Sequence, residues 1–181
     1  MLRAIIMWIY RMDLPMVLLL LAVFTIIFHT VHSQFIQYKF WKPAVILFLF
    51  LWAVIVLFLT IFQRTQDVSL YPIWQPFQSY VDALKDNGQP ELLRSNFMNA
   101  VLFYPAGLLF ASLLPLKRQP QLTLLIVFVL FAVFSYAIEF IQYRYQLGLA
   151  QTDDVIHNTL GACIGIIVFL IMQKIPMKPQ K

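Results

Sequence analysis

The sequence predicts an all-α, polytopic transmembrane helical bundle with about five spans. Of the 181 residues, 61% are hydrophobic and only 12% are charged. The mean hydropathy is +0.79, and a soluble domain of this size cannot bury so much apolar side-chain surface. The composition therefore excludes a soluble protein, and we expect membrane lipids, rather than nucleic acid, to surround or bind the chain.

Five apolar stretches are long enough to cross a hydrocarbon core of roughly 30 Å, which takes about 20 helical residues. They cover residues 14–31, 43–62, 97–114, 122–143 and 155–172. The third is the shortest and contains Pro105 and Gly107, which favour a kink or the close approach of another helix. Residues 4–10 are apolar but too few to cross, so we expect them to lie in the membrane interface.

The spans divide the chain into three parts. Residues 1–62 hold the interfacial segment and two scaffold helices, residues 63–172 form the core, and residues 173–181 are a basic tail. The core opens with a loop over residues 63–96, too long for a simple connector. Its residues 79–85 are predicted to form a short helix that ends at Asp86-Asn87-Gly88. We expect this helix either to lie in the interface or to act as a lid over the bundle.

Basic residues near the span ends indicate the orientation of the chain. If the loops alternate between sides, the side with the carboxyl-terminal tail carries seven Lys and Arg residues and the other side carries six. This small excess predicts a cytoplasmic tail and an external long loop.

Polar residues collect at one end of the predicted bundle. Glu139 lies within an otherwise apolar span, and an ionisable residue in such a place indicates a functional site by default. Further polar residues lie near the same ends of their spans: Arg64, Asn99, Gln142, Asp154, His157 and Asn158. Their shared depth is what a single outward-facing polar pocket requires.

The helical period places these residues on stripes. At about 100° per residue, Ser135, Glu139 and Gln142 fall on one face of the fourth span. Asp154 and Asn158 fall on one face of the fifth, where Gly161 and Gly165 continue the stripe. Such a small-residue surface allows another helix to approach, either within the chain or in a homo-oligomer.

Metal ligation has little support in the sequence. His29 and His32 are three residues apart, but no third ligand is suggested nearby. Asp153, Asp154 and Glu139 would suit Mg²⁺, although adjacent acids at a helix start are equally explained by capping and the helix dipole. We expect neither a metal nor a cofactor.

Three motifs resemble those of the VanZ-like membrane proteins. They are Asn-x-x-x-Phe-x-Pro-x-Gly at residues 99–107, Glu-x-x-Gln at residues 139–142, and Asp-x-x-x-Asn-x-x-Gly-x-x-x-Gly at residues 154–165. The resemblance extends over residues 64–172. Family members often carry an Arg shortly before the Asp, where this chain has Gly148 to Gln151, and Arg144 is a candidate substitute. They also carry an Asn at the position of Ile73.

The resemblance implies a bacterial inner-membrane protein of the cell envelope, in a family named for teicoplanin resistance. The leading hypothesis is an outward polar pocket, formed by Arg64, Asn99, Gln142 and Asn158, that binds a lipid-linked cell-wall precursor or a glycopeptide. An alternative is an intramembrane hydrolase or transferase with Glu139 and Asp154 as the acid/base pair and His157 as a second candidate base. A third is a proton-coupled transporter that uses Glu139 as a relay, although no inverted repeat supports it.

Overall fold

The computed structural model describes residues 13–64, 71–85, 91–114 and 120–174. Six helices account for most of them: α1 (Leu14–Phe35), α2 (Trp41–Leu57), α3 (Gln78–Ala83), α4 (Glu91–Ala111), α5 (Pro120–Tyr145) and α6 (Thr152–Met172). In the described part of the chain, strand-type pairing is limited to an isolated parallel bridge between Ile73 and Gln151. The all-helical prediction is confirmed. The predicted interfacial segment at residues 4–10 and most of the basic tail lie outside the described residues.

Four of the described helices are long and apolar enough to cross a membrane: α1, α2 with its extension to Phe62, α5 and α6. The exposed apolar side chains of α1 and α2, such as Leu19 and Phe50, are suited to contact lipid. The remaining long helix, α4, has 21 residues and packs mainly against α6. Its first turns are too polar for α4 to count among the helices that are apolar enough to cross a membrane, so a fifth span stays a prediction.

The helices extend beyond the hydropathy boundaries. α1 continues to Phe35 and α4 begins at Glu91, six residues before the predicted start of its span. Backbone hydrogen bonding does not stop where the side chains become polar, so helix ends project past the apolar stretch. Ser95 and Asn96 therefore lie inside α4 and do not cap its start.

The closest helix contact joins α4 to α6. A Cβ atom at Gly161 would lie 2.0 Å from the carbonyl oxygen of Ala100, and one at Gly107 would lie 2.0 Å from that of Ala162. A Cβ at Gly165 would likewise meet the Tyr104 carbonyl oxygen at 2.3 Å. Because only glycine allows such backbone contact, the glycine stripe serves packing within the chain. An oligomer through this same face would have to displace α4.

A π-helical turn (Phe58–Phe62) extends α2. The Gln63 N–H donates to the carbonyl oxygen of Phe58 at 3.0 Å, and the Thr60 carbonyl oxygen accepts a bond from Gln142 of α5. Turns of this kind are rare and often occur at functional sites. Here the turn brings the end of α2, and with it Arg64, to the polar end of α5.

Candidate functional site

The predicted site residues lie at one end of the bundle. Arg64 follows α2, Asn99 lies near the start of α4, Glu139 and Gln142 lie near the end of α5, and Asp154, His157 and Asn158 lie in the first turns of α6. The stripe predicted on α5 is buried, because Ser135, Glu139 and Gln142 are each 2% exposed or less. Hydropathy and helical period thus placed these residues correctly relative to the helices.

The turn between α5 and α6 closes over Glu139. α5 ends where Gln146 adopts a left-handed conformation (φ 55°) and Gly148 follows at φ 94°. Such conformations commonly end helices and favour glycine. The chain then returns so that the Gln151 N–H donates to Glu139 Oε2 at 2.9 Å. The carboxyl group is held by backbone and shielded from solvent.

Arg64 reaches into this turn. A Cβ atom at Gly148 would lie 3.0 Å from Arg64 Nη1, so the guanidinium group lies directly against the glycine. Its positive charge acts on the carboxyl groups of both Glu139 and Asp154. Arg144, the predicted substitute for the family Arg, instead lies exposed, 5.9 Å from the ring of its neighbour Tyr145.

Asp154 joins α6 to α4. Its Oδ1 accepts a bond from Asn99 Nδ2 at 2.7 Å, which satisfies the amide that the sequence had placed facing protein. The carboxyl groups of Asp154 and Glu139 also lie close enough to interact electrostatically. Asp154 is partly exposed as a residue, whereas Glu139 is 2% exposed.

Asp153 has a structural role that sequence reasoning missed. It is 1% exposed, and its carboxyl accepts the backbone N–H of Phe77 at 2.5 Å and that of Ser79 at 2.8 Å. The Ser79 hydroxyl also donates to it, and Asn96 Nδ2 donates to that hydroxyl at 2.8 Å. Asp153 therefore caps the start of α3, a helix 74 residues earlier in the chain, and it is not free to bind a metal.

His157 fastens α3 to α6. Its Nδ1 lies 2.6 Å from the Asp153 carbonyl oxygen, and its Nε2 lies 2.6 Å from the Tyr80 hydroxyl. A carbonyl oxygen only accepts, so Nδ1 carries the proton and Nε2 of the neutral ring accepts from Tyr80. Both ring nitrogens are engaged in this arrangement, and the role of His157 as a second candidate base stays a prediction.

The two remaining amides each have one free acceptor. Gln142 Nε2 donates to the Thr60 carbonyl at 2.9 Å, and Asn158 Nδ2 donates to the Ser135 hydroxyl at 2.8 Å. Within the described part of the chain, the carbonyl oxygens of both side chains are buried without a hydrogen-bond partner. Buried unsatisfied acceptors are uncommon in native proteins and call for an explanation such as a ligand or ordered water.

A cavity of about 270 Å³ lies beside this cluster. The loop after residue 70 and the α5–α6 turn form its walls: Tyr71, Pro72, Gln142, Tyr143, Gln146, Gly148 and Ala150. Gln142 and Gly148 connect the cavity to the cluster, because Gln142 follows Glu139 by one turn and Gly148 touches Arg64. We call the two carboxyls of Glu139 and Asp154, Arg64 and this cavity the polar site.

The loop is anchored above the polar site. Ile73 pairs with the turn, its N–H donating to the Ala150 carbonyl at 2.9 Å and its carbonyl accepting from the Thr152 N–H at 3.0 Å. The Trp74 ring packs edge-on against Tyr143, 5.6 Å between centroids. Ile73 thus contributes through its backbone, and the loop covers this end of the bundle.

The described residues contain no group of three or more His, Cys, Asp or Glu side chains that could hold a metal ion. His29 and His32 lie at the opposite end of the bundle. His32 packs among aromatic rings, including Trp41 at 5.3 Å and Phe169 at 5.1 Å between centroids.

Helices of this length and hydropathy, with a buried polar cluster at one end, define a polytopic helical membrane protein. A profile of the VanZ/LLP1 family matches residues 44–173. The chain belongs to the VanZ-like family. No curated protein and no solved structure matches it.

Proposed function

We propose that this protein binds the polar head of an amphiphilic cell-envelope molecule in the polar site, with the long loop on the outer side of a bacterial inner membrane. The observation that carries the proposal is the clustering of two carboxyls, Arg64 and two amides with unpartnered oxygens at one end of the bundle, where Gln142 and Gly148 line a cavity. Ligand sites in proteins are concave and mostly apolar, with a few polar groups that orient the ligand. Apolar helix surfaces beside the site are suited to the hydrocarbon part.

The loop supports this proposal because it is fastened at two points that differ in strength. Asp153 and the Ile73 pairing hold its backbone through several hydrogen bonds. The Tyr80 side chain adds a second attachment, one bond to His157 of α6. The loop held in this way forms one wall of the cavity that would receive the head group.

We further propose that binding contributes to glycopeptide resistance, with teicoplanin as the compound to test. Cells that lack their own VanZ-like proteins would express the wild type, Glu139→Gln, Asp154→Asn or Arg144→Gln. Both acid substitutions preserve shape and an acceptor oxygen for Gln151 or Asn99, so they remove charge with little disturbance of the helices. Arg144→Gln removes an exposed charge at the same end of the bundle and serves as the control.

The expected result is teicoplanin protection by the wild type and Arg144→Gln, and its loss in both acid variants at equal protein abundance in membranes. Equal protection by all four proteins would show that the carboxyl groups are structural. Absence of protection by the wild type would reject the resistance role, and lipid retention by purified protein would then test binding separately.

The interaction between Glu139 and Asp154 favours one second candidate, an intramembrane hydrolase or transferase that uses them as an acid/base pair. Two interacting carboxyl groups suit general acid/base chemistry. Turnover distinguishes the two functions: an enzyme releases a chemically altered lipid, whereas a binding protein returns its ligand unchanged, as mass spectrometry of extracted lipids would record.

A further inference from the structure

The formal charges of the polar site do not balance. Glu139 and Asp154 contribute two negative charges when ionised, and Arg64 contributes one positive charge that acts on both. Asp153 adds a further negative charge that acts on Asp154, although its own carboxyl is bound by donors at the start of α3. When these carboxyls are ionised, the negative charges among these described groups therefore outnumber the positive one, in a place where Glu139 is 2% exposed. An uncompensated charge in such surroundings is costly.

Gln142 supplies an independent observation that points to a ligand with donor groups. Its Nε2 must face the Thr60 carbonyl, because that oxygen cannot donate, and this fixes the orientation of the side-chain amide. The opposite atom, Oε1, then has no partner among the described residues although Gln142 is 2% exposed. Gln142 also lines the cavity, so the side chain that carries this buried, unpartnered acceptor borders the space in which a ligand would lie.

Asn158 on α6 has the same arrangement as Gln142 on α5, with a bonded amide nitrogen and an unpartnered amide oxygen. It is 5% exposed, its Nδ2 donates to Ser135, and its Oδ1 has no partner in the described chain. The cluster thus holds two buried acceptors and, when both carboxyls are ionised, a surplus negative charge. A phosphate or carboxylate alone would add negative charge and acceptors to a place that already has both.

We propose that the head group bound in the polar site carries a protonated primary amine, which supplies the missing positive charge and donates N–H bonds to these acceptors. This inference rests on the proposed function, because it names the chemistry of the amphiphile. A primary ammonium group has three donors on a compact charge. A quaternary ammonium has the charge but no N–H, and a glycerol head has hydroxyl donors without the charge.

The probe is a set of nanodiscs containing phosphatidylethanolamine, phosphatidylcholine and phosphatidylglycerol in equal amounts with identical acyl chains. The full-length protein would be released from them, and native mass spectrometry would count the lipids that stay bound. We expect phosphatidylethanolamine to be retained at least about tenfold over each of the other two, a difference of about 1.4 kcal/mol in binding. Soluble phosphoethanolamine in excess should compete for this binding.

Glu139→Gln should reduce the preference for phosphatidylethanolamine to less than about threefold, because it removes a charge while its amide oxygen can still accept from Gln151. Asp82→Asn is the matched control, since Asp82 lies on α3 in a surface pair with Lys85, 2.6 Å away, and should keep the full preference. The thermal unfolding midpoint of each variant would verify that it is folded.

The outcomes separate the inference from the proposed function. Preferential retention of phosphatidylglycerol, or equal retention of phosphatidylcholine, would overturn the amine inference and leave amphiphile binding intact. An unchanged preference in folded Glu139→Gln would also overturn it, because the two carboxyls would then hold a shared proton instead of a cationic ligand. No saturable retention of any of the three lipids would overturn the inference and count against binding itself.

Discussion

The carboxyl group of Asp153 and the backbone of Ser79 connect the first turn of α6 to the first turn of α3 across 74 residues of sequence, with 2.8 Å between Asp153 Oδ2 and the Ser79 nitrogen. The bond joins the loop that covers the polar site to the helix that carries Asp154. Because Asp153 and Asp154 are adjacent, the same turn of α6 fixes the position of the covering loop and of the Asp154 carboxyl group.

Asp153→Asn should loosen the loop. The carboxyl now accepts three bonds, whereas an amide would place an N–H₂ group against one of the backbone donors. Loss of a charge-assisted, buried arrangement of this kind costs about 2 kcal/mol or more. We expect a lower thermal unfolding midpoint in detergent and faster tryptic cleavage after Lys85 in the native state.

Asp82→Asn is the control for this experiment as well. Its carboxyl pairs with Lys85, whose side chain is 59% exposed, and surface pairs contribute little to stability. An unfolding midpoint and cleavage rate of Asp153→Asn equal to those of Asp82→Asn would reject the capping role.

Gly161→Ala should separate α4 from α6. The new methyl group would lie 2.0 Å from the Ala100 carbonyl oxygen, and backbone cannot move aside as a flexible side chain can. We expect a loss of at least about 2 kcal/mol in the free energy of unfolding, since overpacking of a close contact costs this much or more. Thermal unfolding in nanodiscs would measure it.

Leu160→Ala provides the comparison for Gly161→Ala. Leu160 is adjacent but 48% exposed and suited to face lipid, where a smaller apolar side chain costs little. If Gly161→Ala were as stable as Leu160→Ala, the backbone contact between the two helices would not be required for the fold.

The Thr25 and Tyr104 hydroxyls should be coupled energetically. They lie 2.6 Å apart, and the Thr25 hydroxyl also lies 2.6 Å from the Leu21 carbonyl oxygen. The Thr25 proton is directed to that carbonyl, so Tyr104 donates to Thr25. A double-mutant cycle with Thr25→Val and Tyr104→Phe should give a coupling energy of about 0.6–1.5 kcal/mol, the range for hydrogen bonds between membrane helices.

The cycle would be measured from unfolding free energies in one detergent. A coupling energy of zero would mean that α1 packs on α4 through apolar contacts alone. The prediction also tests whether α1, interpreted from sequence as scaffold, is fixed to the core by a polar contact that the apolar pattern conceals.

Much of the site could be predicted because helical geometry is local. The stripe of Ser135, Glu139 and Gln142 follows from the helical period, and burial of all three confirms the predicted face. Asn99 was expected to face protein, and it does, through Asp154. In each case, the helical period and the high cost of an unpaired polar group in hydrocarbon are sufficient to predict that the side chain faces protein.

The partners of these residues could not be predicted in the same way. Arg64 comes to Gly148, and Tyr80 to His157, from a loop whose path no periodic pattern specifies. The interpretation of adjacent Asp153 and Asp154 as capping or ligand residues overlooked that they divide the roles: one caps a distant helix and the other faces the polar site. One feature of the sequence could have indicated the capping role of Asp153. The short helix predicted in the loop requires a hydrogen-bond acceptor for the backbone N–H groups at its start.

The sequence by itself determined the class of protein, the approximate helices and the face that each polar residue occupies, because hydropathy and helical period act over a few turns of one helix. Only the tertiary structure decided that the glycine stripe packs against α4 of the same chain, that the loop is bound to α6, and that Arg64 lies against Gly148 of the α5–α6 turn. These features depend on which helices and loops come into contact although they are far apart in the sequence. The pattern of side chains along one segment does not specify which other segment it packs against.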